Sequence, residues 1–162
     1  MKTCVFAGSF DPFTTGHEYV VSKCLEIFDK VVVAVGKNAD KKPLLDQNER
    51  LELIKVIYAQ NPNVEVAVFD GMLVDFMKER GIKFTVRGIR NVEDYNYETT
   101  MAQYNKDLCP EITTVYIPTP ASVAHVSSSA IRTIVKSNGD YCLYVPESGR
   151  KYLEQVLKAN LK

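Results

Sequence analysis

A segment with the composition of a phosphate-binding turn lies at residues 8–17, which read GSFDPFTTGH. An apolar run precedes it and an amphipathic stretch follows it, and α/β proteins hold nucleotides at such strand-to-helix turns. Gly8 lets the backbone approach a phosphate, and Ser9 adds a hydroxyl. His17 opens the helix, where an imidazole can donate to a phosphate oxygen that the helix dipole already favours. A glycine and a histidine alone would as readily cap or pack a helix, but the order of the special residues favours an anion site.

A lysine pair, Lys41-Lys42, lies with Pro43 in the polar loop after the second predicted strand. Lysines in loops are ordinarily solvated surface residues. At the end of a sheet strand, however, one ammonium group reaching over the strand ends would neutralise phosphate charge, and the proline would stiffen the loop. We therefore predict a phosphate contact from this loop.

Two arginines, Arg87 and Arg90, leave the fourth predicted strand three residues apart. Because Gly88 allows a close turn between them, two guanidinium groups can converge above the sheet edge, and their forks match the geometry of phosphate oxygens. Asp94 and Glu98 follow at i,i+4 on the next helix, where they either pair with the arginines or accept from a ribose or an adenine. The alternative to an anion site is a surface ion-pair network.

Three consecutive serines, Ser127, Ser128 and Ser129, lie at another strand-to-helix turn, after the fifth predicted strand and a proline-containing loop. One serine there would only cap the helix. Three serines can cap it and still offer hydroxyl and amide donors to a triphosphate. This helix start therefore predicts a second anion site.

Length and composition limit the classes of function. The 162 residues, 46% of them hydrophobic, predict one well-buried domain spanning 1–162. The 20 basic and 20 acidic residues create no global field that would draw the chain to nucleic acid. The four cysteines form no CxxC pair and have no histidine at metal-ligand spacing, so we expect reduced packing residues and no metal ligands. Without a signal peptide or an apolar run of about 20 residues, we expect a soluble cytoplasmic protein that does not associate with membranes.

Short apolar runs alternate with longer amphipathic stretches, which is the pattern of βα units in a parallel sheet. The predicted strands are 3–7, 30–36, 64–69, 84–87 and 113–117. The predicted helices are 18–28, one that follows a capping box at 46–49, and 72–80, 93–107, 128–137 and 146–159. Right-handed crossovers would bring all four polar blocks to the carboxyl edge of the sheet.

Together these blocks resemble the nucleotidyltransferase superfamily, in which a T/S-F-D-P…GH turn and a serine-rich helix start bracket a nucleoside triphosphate. Within it, the RGIRNVEDYNYE block, the KKP loop and the chain length resemble the bacterial phosphopantetheine adenylyltransferase family over nearly the whole chain. The resemblance implies a single-domain Rossmann-like α/β fold with a five-stranded parallel sheet flanked by helices. It implies adenylyl transfer from ATP to 4′-phosphopantetheine with Mg²⁺, which gives dephospho-coenzyme A and pyrophosphate in coenzyme A biosynthesis. It also implies a homo-hexamer, with dephospho-coenzyme A or coenzyme A as product or feedback ligand.

The resemblance also implies roles for individual residues. His17 matches the catalytic histidine that stabilises charge on the α-phosphate. The positions that match contacts to the phosphopantetheine substrate are Ser9, where the family usually carries threonine, Lys41, Leu73 and Arg87. The positions that match ATP contacts are Ser9, Phe10, His17, Gly88, Ile89, Arg90, Glu98, Val123, Ala124, His125, Val126, Ser127, Ser128 and Ser129.

The segment 121–125, which reads ASVAH, departs from the family pattern, because related sequences commonly carry an aromatic residue and a Ser-Phe pair there. His125 faces solvent, stacks on the base or contributes a hydrogen bond, and the first of these is favoured because nothing nearby fixes the ring. Three other functions remain open. They are a sister transferase acting on another phosphorylated acceptor, a class I aminoacyl-tRNA synthetase fragment, which the missing KMSKS-like loop disfavours, and a non-catalytic nucleotide-binding regulator.

Overall fold

The computed structural model describes residues 1–37 and 42–160, and in this range strands and helices alternate along the chain. The strands are β1 (Thr3–Gly8), β2 (Lys30–Gly36), β3 (Val64–Phe69), β4 (Phe84–Ile89) and β5 (Thr113–Pro118). The helices are α1 (Thr15–Ile27), α2 (Gln47–Ile57), α3 (Leu73–Glu79), α4 (Val92–Leu108), α5 (Ala121–Ala124), α6 (Ser128–Lys136) and α7 (Glu147–Asn160), with a 3₁₀ turn at Cys142–Tyr144.

The five strands form one parallel sheet in the order β3-β2-β1-β4-β5. The chain therefore builds outward from β1 to β3 on one side and then crosses to β4 and β5 on the other. Such a reversal opens a crevice between β1 and β4 at their carboxyl ends, which is where open α/β sheets bind ligands. The predicted five-stranded parallel sheet flanked by helices is confirmed.

Helices cover both faces of the sheet. Alternate residues of β1 point to opposite faces, so Cys4 and Phe6 belong to the larger hydrophobic cluster, while Val5 and Ala7 belong to the smaller one around Met77. Burial on both faces explains why β1 and β2 read as nearly continuous apolar runs. Within residues 1–37 and 42–160, no helix is long and apolar enough to span a bilayer.

Side-chain caps begin α1, which reaches the crevice, and α2. Thr14 caps α1 with His17, and Asp46 caps α2 with Glu49 as the sequence predicts. The cap at Thr14 makes α1 begin at Thr15, three residues before the predicted start. The structure also adds α5 and the 3₁₀ turn, which are too short to show an apolar period in the sequence.

Candidate active site

A cavity of about 380 Å³ opens at the carboxyl ends of β1 and β4, beside the first turns of α1 and α6. Of the site residues predicted from the sequence, those that line it are Ser9, Phe10, His17, Arg87, Gly88, Arg90, Glu98, Val123, Val126, Ser127, Ser128 and Ser129. Three of the four polar blocks thus meet at one place. Lys41, from the remaining block, lies outside the described residues.

The turn after β1 is held in an unusual backbone conformation. Phe10 adopts a left-handed φ of 52°, and its ring packs against Gly8, where an added Cβ would come within 3.0 Å of the ring. Asp11 is buried, and its carboxylate accepts the main-chain N–H groups of Leu44 at 2.9 Å and Leu45 at 2.8 Å. These contacts fix the turn against the segment that leads into α2.

His17 is held in one tautomer by the cap of α1. Its Nδ1 accepts the main-chain N–H of Thr14 at 3.0 Å, so the neutral ring carries its proton on Nε2. The ring lies among Phe6, Phe10 and Phe13, with ring centroids 6.0, 4.9 and 5.2 Å away. Burial, with a smaller contribution from the positive charges of two nearby arginines, lowers the pKa of His17 to about 3. At neutral pH His17 therefore presents a neutral imidazole with an Nε2–H donor.

Carboxylates on α4 orient both arginines of the cavity. Arg87 donates from Nε and Nη2 to the two oxygens of Glu98 at 2.8 and 2.7 Å, and from Nη1 to the carbonyl of Ala7 at 2.6 Å. Arg90 pairs with Asp94 through Nε at 2.9 Å and Nη2 at 3.2 Å, and this hydrogen bonding holds the pKa of Asp94 below its ordinary value. A guanidinium has five N–H donors. The pairing therefore fixes each fork and still leaves donors for a ligand.

The serine block is joined to the turn after β1. Ser127 caps α6 by accepting the N–H of Ala130 at 3.1 Å, and Ser128 donates its hydroxyl to the carbonyl of Pro12 at 2.8 Å. Arg132 donates to the carbonyl of Asp11 at 2.9 Å and to the hydroxyl of Ser129 at 3.1 Å. The two predicted anion sites are therefore the two walls of one cavity.

Some lining residues carry no assigned role from the sequence. They include Thr119 and Arg132. Arg132 has a sequence signal, because it stands three residues after the last serine and therefore lies on the same face of α6 as the serine block. Thr119 has none, since a lone threonine in a loop resembles any turn residue.

Four predicted contact residues do not line the cavity. Leu73 begins α3 and packs against the smaller hydrophobic cluster, on the face of the sheet opposite the larger cluster. Ile89 and Ala124 lie next to lining residues, and His125 is exposed with its ring 6.2 Å from that of Tyr144. Their ligand contacts stay predictions.

The fold and the cavity define a nucleotidyltransferase, and residues 5–134 match the family described as cytidylyltransferase-like. A protein of Clostridium tetani is 43% identical over 158 residues, covering 98% of this chain and 97% of its own. Proteins of Cytophaga hutchinsonii and Alkaliphilus metalliredigens are 42% and 40% identical, over 90% and 91% of this chain and 97% and 94% of their own. All three carry the name phosphopantetheine adenylyltransferase. The chain belongs to that enzyme family, as its motifs predict.

Proposed function

We propose that this chain transfers the adenylyl group of ATP to 4′-phosphopantetheine, giving dephospho-coenzyme A and pyrophosphate. The observation that carries the proposal is that His17, whose Nδ1 accepts the main-chain N–H of Thr14, lines one cavity together with Arg87, Arg90 and the serine block. Such a cavity offers hydrogen-bond donors of the kind that a triphosphate and a phosphate monoester require.

The reaction needs no general base. A phosphate oxygen of 4′-phosphopantetheine forms a bond to the α-phosphorus of ATP, and the bond from that phosphorus to the pyrophosphate oxygen breaks. Since the attacking phosphate is already anionic at neutral pH, the protein contributes positioning and charge stabilisation. His17 donates from Nε2 to an α-phosphate oxygen, and this contact strengthens as charge develops in the transition state.

The two arginines divide the remaining anionic groups. Arg87 binds the phosphate of 4′-phosphopantetheine through the N–H donors that Glu98 and Ala7 leave unused. Arg90, oriented by Asp94, binds pyrophosphate oxygens. Ser9 supports the substrate phosphate, and Lys41 and Leu73 complete the substrate contacts. Glu98, besides orienting Arg87, faces the nucleoside.

The ATP molecule extends from the turn after β1 to the start of α6. The main chain of Ser9 and Phe10 and the glycine-containing end of β4 contact its phosphates. The adenine side is bounded by the segment that precedes α6. The positions proposed for ATP at the end of β4 are Gly88 and Ile89. Those proposed in the segment before α6 and in its first residues are Val123, Ala124, His125, Val126, Ser127, Ser128 and Ser129.

Magnesium enters this proposal with ATP. Among residues 1–37 and 42–160, no group of three or more His, Cys, Asp or Glu side chains could hold a metal ion. Asp94 and Glu98, which line the cavity, are each engaged by an arginine. In this proposal the ion is held by triphosphate oxygens and water, since Mg²⁺ keeps several waters and binds substrate phosphates. When bound, Mg²⁺ neutralises phosphate charge.

A homo-hexamer is the proposed assembly, and α4 supplies its support. Tyr97, Met101, Tyr104 and Leu108 follow one another at intervals of four, three and four residues, so they form one stripe along the helix. All four are exposed, and no residue of α4 is buried in this chain. An exposed apolar stripe of this kind is typical of a protein–protein contact.

We further propose that the whole chain, 1–162, forms one cytoplasmic domain that binds dephospho-coenzyme A and coenzyme A as product or feedback ligand.

Pyrophosphate release by the purified protein tests the proposed reaction. The protein is incubated with Mg²⁺ and ATP plus 4′-phosphopantetheine or nicotinamide mononucleotide, and with CTP plus glycerol 3-phosphate. Of these acceptors, we expect only 4′-phosphopantetheine, in the presence of ATP, to cause release of pyrophosphate. Release with another acceptor would identify a sister transferase and overturn the assignment of Arg87, and no release with any acceptor would favour a nucleotide-binding regulator.

A further inference from the structure

Arg50 is a buried arginine that lies outside the cavity lining. It stands in the first turns of α2 and is 2% exposed. Burying a guanidinium is costly, and its burial lowers the pKa of Arg50. A side chain kept at such a cost calls for a specific set of partners.

The partners of Arg50 are main-chain carbonyls from three separate segments. Nη1 donates to the carbonyl of Ser9, just after β1, and to the carbonyl of Gly36 at the end of β2, the latter at 2.8 Å. Nε is shared between the carbonyls of Leu45 and Asp46, both at 3.3 Å, just before α2. Within the described ranges, the guanidinium of Arg50 forms no other hydrogen bond and no ion pair closer than 4.0 Å. The guanidinium of Arg50 therefore links the turn after β1 to the end of β2 and to the residues just before α2.

The bond to Ser9 acts on one peptide group of the cavity. The carbonyl of Ser9 and the N–H of Phe10 are opposite ends of a single trans peptide plane, so they point in opposite directions. Because the carbonyl points to Arg50, the N–H points away from it. Phe10 lines the cavity, and its N–H has no hydrogen-bond acceptor among residues 1–37 and 42–160. This leaves the N–H available to a ligand.

A cation at the carbonyl end also changes the donor end. Hydrogen bonds in series polarise one another, so a guanidinium on the carbonyl makes the Phe10 N–H a stronger donor. The left-handed φ of Phe10 is a conformation that side-chain-bearing residues rarely adopt, and it persists only where the surroundings determine it. Arg50 supplies part of that constraint, and the bonds from Leu44 and Leu45 to the carboxylate of Asp11 supply another.

We propose that Arg50 is a positioning residue of the active site, which orients and polarises the Ser9–Phe10 peptide so that the Phe10 N–H donates to a phosphate of the bound nucleotide. The inference rests on the proposed function, because it takes the cavity to hold ATP. It assigns a task to a residue that never touches the substrate.

The first test compares Arg50→Lys with Arg150→Lys. Lysine keeps the charge, but one ammonium group cannot reach all four carbonyls that the guanidinium holds. Arg150 is a matched control, since its Nε donates to the carbonyl of Val145 at 3.1 Å and it does not line the cavity. We expect Arg50→Lys to lower kcat by about tenfold to a hundredfold, a loss similar to or smaller than that of a transition-state donor, and Arg150→Lys to leave it within about twofold.

A second readout separates positioning from general destabilisation. The chain has seven phenylalanines, so ¹⁵N-phenylalanine labelling gives a short spectrum in which the Phe10 amide is followed as ATP is added. We expect a downfield shift in the wild type, a reduced shift in Arg50→Lys, and the wild-type shift in Arg150→Lys. Equal shifts and equal kcat in all three proteins would overturn the inference.

A main-chain variant decides the question even if Arg50→Lys does not fold. Incorporating phenyllactic acid at position 10 keeps the side chain and replaces the N–H with an ester oxygen. We expect a folded protein with kcat reduced by at least about tenfold, and unchanged kcat would overturn the inference.

If the wild type releases no pyrophosphate with 4′-phosphopantetheine, the proposed function fails, and the Phe10 shift on adding ATP alone then decides the inference.

Discussion

The main-chain N–H of Thr14 donates to Nδ1 of His17 at 3.0 Å, and the hydroxyl of Thr14 accepts the main-chain N–H of His17 at 3.2 Å. This is a capping box in which histidine occupies the place that glutamate or glutamine usually takes. The same bond therefore begins α1 and selects the tautomer of the imidazole. A glutamate there would cap the helix equally well, but it would bring a negative charge to a phosphate site.

Replacing His17 separates its two tasks. We expect His17→Ala to lower kcat by about two to four orders of magnitude, because the Nε2–H contact forms mainly in the transition state. The Kd of ATP, measured by calorimetry, changes far less. His17→Gln is the matched control for the cap, since glutamine can accept the Thr14 N–H. We expect it to restore the stability that alanine loses without restoring kcat, and a large loss of ATP affinity with unchanged kcat would contradict this role.

The lowered pKa of His17 makes stability depend on pH. In the unfolded chain the imidazole binds a proton near its ordinary pKa of 6.5, whereas in the folded protein it does so only near 3. Below pH 6.5 the unfolded state therefore binds more protons, and stability falls as the pH falls toward 3. Between pH 7.5 and 5.0 this residue alone costs about 2 kcal/mol. Urea unfolding at both pH values measures the loss, and His17→Gln is expected to lack that part of it.

Arg87 is expected to act on the acceptor rather than on ATP. We expect Arg87→Ala to raise the KM for 4′-phosphopantetheine by about tenfold or more, because a charge-assisted contact to its phosphate is lost. Arg80→Ala is the matched control, since Arg80 also pairs with a glutamate, Glu65, but at the surface near β3 and α3. Steady-state kinetics with each substrate varied in turn makes the measurement. An unchanged KM for the acceptor would remove Arg87 from its phosphate site.

The sequence predicts the sheet and most of the site because strong local signals mark both. Apolar runs buried on two faces show the strands, and the polar blocks at their ends must meet once the strands are parallel. Helix bounds are less well predicted. The start of α1 depends on the cap between Thr14 and His17, and a capping box with histidine is not a pattern that sequence analysis expects.

Hydrogen bonds between residues far apart in the sequence are the features of the site that local sequence patterns do not predict. Arg50 resembles any polar residue in the first turns of a helix, and only the fold reveals that it binds carbonyls at the ends of two strands. The sequence leaves two alternatives for Glu98, an arginine partner or a nucleoside contact, and the structure shows that Glu98 pairs with Arg87. Strand order brings Arg50 to the carbonyls of Ser9 and Gly36, whereas Glu98 reaches Arg87 because α4 directly follows β4.

The exposed stripe on α4 gives a prediction about assembly. We expect Tyr97→Glu combined with Tyr104→Glu to reduce the mass measured by analytical ultracentrifugation, because a charge in an apolar contact is desolvated without a partner. Leu143→Glu is the matched control, since Leu143 is 78% exposed on the 3₁₀ turn and is not part of the stripe. If both proteins sediment like the wild type as a larger assembly, α4 does not form the contact. A wild-type mass of 18.3 kDa, that of one chain, would instead show that the stripe stays open to solvent and that no hexamer forms.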